Sequence, residues 1–93
     1  MPVNWRPLAA HLAAQPSGVG RVTLTLPEIE ALVGGPLPPS AGTQAAWMNA
    51  RGNARARLWL AAGWHVAARA MRRDPPAVTF ARGAPPSFDT QFR

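Results

Sequence analysis

Apolar and polar positions change their spacing several times along the chain, and each change marks an element. Trp5, Leu8 and Leu12 recur at helical spacing on one side. Asn4 is the candidate N-cap, and Pro7 falls in the first turn, where a missing N–H costs little. Pro16 and Gly18 end this helix. From Gly20 to Leu26 the period drops to two, with Val22, Leu24 and Leu26 on one face and Arg21, Thr23 and Thr25 on the other. That is the pattern of a half-buried strand. Thr25-Leu26-Pro27-Glu28 then reads as a capping box, opening a helix with Ile29, Leu32 and Val33 on one face and Gly34-Gly35-Pro36 as its stop.

Leu37-Pro38-Pro39 is a stiff connection. Ser40 is a candidate cap for a short helix reaching Trp47 and Met48, and Asn49 to Gly52 reads as a turn. Asn53 would cap a helix over Ala54–Ala62, with Gly63 just beyond its end. The 40–48 and 54–62 pieces are either two helices or one bent one. From Trp64 to Met71 the period is again two, Trp64, Val66, Ala68 and Ala70 opposing His65, Ala67, Arg69 and Met71. Arg72-Arg73-Asp74-Pro75-Pro76 predicts a turn, and Ala77 to Arg82 a return strand with Val78 and Phe80 inward. Gly83 to Arg93 has no period and is expected to be a flexible tail, so residues 1–82 form the single domain and 83–93 follow it.

The predicted order is helix, strand, helix, helix, hairpin. The expected class is therefore α+β, in a winged-helix-like arrangement in which a β-hairpin wing follows the third helix. The connection from Gly34 to Gly52 is longer than a helix-turn-helix turn and must hold an inserted piece.

Composition narrows the chemistry. The 93 residues contain no Cys, which removes disulfides, thiolate metal sites and thiol nucleophiles together. His11 and His65 are far apart and lack neighbouring carboxylates, so neither a metal site nor a cofactor is expected. There is no paired-carboxylate, Ser/His/Asp or phosphate-loop pattern, and Gly18-Val19-Gly20 precedes a strand instead of following one. A non-enzymatic protein without a small-molecule substrate is the expectation. The N-terminus carries no signal-like apolar run, and the uncharged stretch from Ala31 to Ala50 is broken by Gly and Pro. A cytoplasmic protein with no membrane partner follows.

Charge gives the sharpest signal. The net charge is +6, with all ten basic residues Arg. Residues 1–50 hold Arg6 and Arg21 against Glu28 and Glu30 and balance, so residues 51–93 carry the whole excess. Arg51, Arg55 and Arg57 fall at or near the third helix, and Arg69, Arg72 and Arg73 at or near the hairpin turn. Arginine neutralises phosphate and also forks onto guanine, while Asn49 and Asn53 are of the type that reads an adenine edge. Two residues apart on a helix is about 200°, so Arg55 and Arg57 diverge. These eight residues are the candidate site for duplex DNA, at the nucleoid, with a homodimer extending the small footprint of one domain. A protein-interaction module, such as an accessory or antitoxin-like subunit that binds an acidic partner, is the alternative.

Several fragments in order also resemble a family of small, mostly uncharacterised bacterial domains. They are Pro7-Leu8 with Leu12, Val22-Thr23-Leu24-Thr25-Leu26-Pro27-Glu28-Ile29-Glu30, Leu37-Pro38-Pro39-Ser40-Ala41 and Trp47-Met48-Asn49, then Trp59-Leu60-Ala61-Ala62-Gly63-Trp64-His65-Val66 and Val78-Thr79-Phe80-Ala81-Arg82. The resemblance runs from Trp5 to Arg82 and implies no particular activity. Gly42, Met48, Asn53 and Arg55 depart from it, standing where such sequences carry Arg, Trp, His and Gln.

Overall fold

The computed structural model describes residues 4–42, 47–49 and 52–83. The expected order is present: helix α1 (Arg6–Ala13), strand β1 (Arg21–Thr25), helix α2 (Leu26–Val33), a 3-10 turn (Pro39–Gly42), helix α3 (Ala54–Ala61), and strands β2 (Trp64–Ala70) and β3 (Ala77–Arg82). The protein is a small α+β domain. Its antiparallel sheet has the order β1-β3-β2, so the last strand is central and pairs with both others. Among the described residues no helix is long and apolar enough to cross a membrane. The tail residues Phe88, Phe92 and Arg93 lie outside the described part.

In α1, Leu8 and Leu12 are buried and Trp5 packs against the core. Asn4 is not the cap residue. Trp5 occupies that position with helical backbone angles, and the Asn4 side chain accepts the Arg6 N–H at 3.1 Å from one residue farther out. The strand-to-helix junction is as its sequence predicts. The Glu28 N–H donates to Thr25 Oγ1 at 3.3 Å, and the Thr25 N–H donates to Glu28 Oε1 at 2.8 Å. Leu26 therefore begins α2 instead of ending β1. Gly34, at φ 81°, closes the helix in the left-handed conformation that glycine adopts without strain. Glu30 then accepts the Leu37 N–H at 2.9 Å and ties down the turn that follows.

The 40–48 and 54–62 pieces are not one bent helix. Residues 43–46 lie outside the described part, but Met48 and Asn49 are non-helical and Asn53 is extended (φ −93°, ψ 120°) where it caps α3. A row of aromatic rings joins these parts. Trp5 meets Trp47 edge-on at 5.7 Å, Trp47 stacks on Trp59 at 5.9 Å, and Trp59 meets Phe80 edge-on at 5.7 Å. Trp47, Trp59, Trp64 and Phe80 are fully buried, so a few large rings supply the bulk that an alanine-rich sequence otherwise lacks. All three helices lie on the face of the sheet that carries Leu24, Val66, Val78 and Phe80.

The alternation expected across Trp64–Met71 fails in its second half. Val66 pairs with Phe80, but Ala68 pairs with Thr79 and Arg69 with Val78, so Ala67 is an extra residue in a β-bulge. One added residue reverses the faces of everything after it. Arg69 and Met71 thus move to the helix-bearing side, where Met71 packs on the core, and Ala68 and Ala70 move to the other.

The capping box sets an acid limit on α2. Hydrogen bonds from the Thr25 N–H and hydroxyl, together with nearby His11, hold the Glu28 carboxyl below its ordinary pKa. A lowered carboxylate pKa stabilises the fold above the unfolded-state value, and that contribution is lost as pH falls through the folded-state value. Glu28→Gln keeps the box geometry without the charge. The variant's stability should be flatter than the native chain's across the acidic range, and the two denaturation curves should converge in acid.

Candidate nucleic-acid interface

The helix positions predicted to diverge do so. Arg55 is half-buried, its guanidinium 5.6 Å from the centre of the Trp5 ring, which pins the start of α3 to the start of α1. Arg57 is exposed, about 200° around the axis. Ala56 between them is buried. Asn53 accepts the Arg55 N–H at 3.0 Å as the helix cap.

Asn49 is built into the fold. Its Oδ1 accepts the Val66 N–H at 2.8 Å and the Trp59 indole N–H at 3.1 Å, and its Nδ2 donates to the Val66 carbonyl at 2.9 Å. The amide thus occupies the outer edge of β2 as a peptide group of a neighbouring strand would. Its acceptor and one donor are spent there, which leaves little for a base edge.

Arg72 and Arg73 are exposed in the β2–β3 turn, and Arg69 is exposed on β2 just before it. The bulge at Ala67 puts Arg69 on the side of the sheet that carries α3, the helix that presents Arg57. Sequence parity alone had put Arg69 with His65, on the opposite side. His65 is there, with Nδ1 2.8 Å from the Gly83 carbonyl oxygen, to which it donates. Arg51 lies outside the described residues.

Arg82 contributes to the positive excess but serves the fold. Its guanidinium lies 4.6 Å from the centre of the Trp64 ring. Its Nη2 donates to the carbonyls of Pro16 and Val19, each at 2.9 Å, and its Nε to Val19 at 3.1 Å. The only sequence signal for this clasp is the position of Arg82 on the same face as Phe80, at the strand's end. Trp64, beneath it, leaves its indole N–H buried without a partner among the described residues.

No group of three or more metal-binding side chains occurs among the described residues. An open groove of about 290 Å³ lies between α1, β1 and α2, lined by His11, Leu24, Glu28, Ala31 and Leu32. None of the arginines of α3 or the hairpin lines it.

A family model described as Domain of unknown function (DUF7662) matches residues 5–82. The chain belongs to this family. The DUF7662 match covers the whole described fold from Trp5 through Arg82, and thus the same stretch as the motif resemblance. No curated protein and no solved structure matches the chain.

Two substitutions separate fold from interface. Asn49→Ala strands the Val66 main chain and the Trp59 indole together, and should cost about 3 kcal/mol in urea denaturation. Arg82→Lys replaces a planar fork with a point donor and should cost about 1–2 kcal/mol. A native-like denaturation midpoint for either would show that its contacts carry no stability.

Proposed function

We propose that this domain binds duplex DNA without catalysing a reaction, using the exposed face of α3 and the β2–β3 hairpin. The observation that carries the reading is the bulge at Ala67. It brings Arg69 to the helix-bearing side of the sheet, and Arg57 on α3 and Arg72 and Arg73 in the turn add three more exposed cations. The element order, with a first strand that pairs with the last, supports a winged-helix arrangement in which α3 enters the major groove and the hairpin follows the backbone. Arg–phosphate contacts then supply most of the affinity and positioning, and the protein acts at the nucleoid in the cytoplasm.

A second reading has its own observation. Met48 is 51% exposed, a large apolar side chain beside the buried Trp47. An acidic protein partner would cover it while pairing with the same arginines.

Fluorescence anisotropy with a labelled duplex over a salt series tests the proposal. Affinity should fall steeply with salt, and Arg57→Ala, Arg69→Ala, Arg72→Ala and Arg73→Ala combined should weaken binding at least about tenfold. Arg6→Ala, on α1, should change it little. No binding at low salt, or equal losses from both variants, overturns the proposal. Capture of an acidic protein that protects Met48 from oxidation would favour the second reading.

A further inference from the structure

The two edges of the sheet are finished differently. On β2 the outward N–H and carbonyl of Val66 are both held by Asn49, and the bulge follows at once. On β1 the Arg82 N–H donates to the Gly20 carbonyl and the Leu26 N–H to the Pro76 carbonyl, each at 2.9 Å. Even-numbered residues of β1 therefore turn their main-chain groups toward β3. Alternation turns those of Arg21, Thr23 and Thr25 to the open side. The Thr25 N–H is taken by the Glu28 carboxylate. Arg21 and Thr23 keep both a donor and an acceptor there, and no strand pairs with them among the described residues. An edge in this state is a template for another strand.

We propose that the strand is β1 of a second copy of this chain, antiparallel, with the two-fold axis at Val22. Arg21 of each copy then lies opposite Thr23 of the other. Each of the two pairs exchanges two N–H···O bonds. The partly buried Val22 meets its counterpart across the axis and loses the rest of its exposed apolar surface. The charges are complementary as well. Thr25, whose N–H holds the Glu28 carboxylate, is the next outward residue after Thr23, so Glu28 of one copy lies beside Arg21 of the other. The same carboxylate selects the register. An axis at Thr23 would press the Arg21 carbonyl onto a Thr25 N–H that Glu28 already occupies. The product is one continuous sheet across two copies. This proposal is independent of nucleic-acid binding.

Sedimentation velocity and amide hydrogen exchange on the full chain, each over a concentration range, test it. A dimer is expected, with the Arg21 and Thr23 amides becoming more protected as concentration rises. Thr23→Pro removes an N–H that β3 does not use, so the fold is retained while the dimer dissociation constant rises about tenfold or more. Arg21→Glu should weaken the dimer in the same direction, and adding Glu28→Gln should restore part of the loss. A monomer at every concentration, a dimer unchanged by Arg21→Glu, or amide protection independent of concentration overturns the proposal. If circular dichroism finds Thr23→Pro unfolded, the Arg21→Glu dissociation constant decides alone.

Discussion

One side-chain amide holds the irregular part of this protein to the regular part. Among the described residues the link between α2 and α3 holds a 3-10 turn, and it must deliver Trp47 into the core and start α3 at the correct height. Asn49 does this by accepting from Val66 and Trp59 while donating back to Val66, which joins link, helix and strand at one point. The indole that donates to Asn49 also stacks on Trp47, which meets Trp5 edge-on. The stacked rings and the amide are therefore one unit, apolar on one side and polar on the other. Buried indole N–H groups usually find partners. Trp47 donates to Ala41 and Trp59 to Asn49, whereas the Trp64 N–H has none among the described residues and its ring face packs under the Arg82 guanidinium.

Local chemistry explains what was legible in the sequence. The Thr25 and Glu28 box, the Asn53 cap and the left-handed Gly34 and Gly63 each act within a few residues, so spacing alone reveals them. The features that spacing missed are long-range. Arg82 meets the Pro16–Val19 turn across more than sixty residues of chain. The partners of Asn49 are set by the packing of three tryptophans. The bulge at Ala67 left no mark in the sequence because the four residues Ala67, Ala68, Arg69 and Ala70 are all small or polar and give a period of two nothing to register the extra position. Of the candidate site, the arginine-bearing elements were readable, but the face on which Arg69 stands was not.

The charge excess divides by role once side chains have places. Arg82 is tied to carbonyls, and Arg55 lies over an indole ring. Both are positive, but each is oriented by the protein itself. Arg57, Arg72 and Arg73 are exposed, with their charge turned to solvent. A net charge counted from sequence treats all of these alike, whereas their freedom to move differs.

The junction at Thr25 has a consequence for how the fold tolerates change. Thr25 is both the last residue of β1 and the cap of α2, so strand and helix meet with no linker between them. Inserting a single residue there would turn α2 by about 100° about its axis, carrying Ile29 and Val33 out of the core. Length variation is therefore blocked at this point of the chain. The orientation of α2 is thereby geared to that of β1, and a force that shifts the strand must rotate the helix with it.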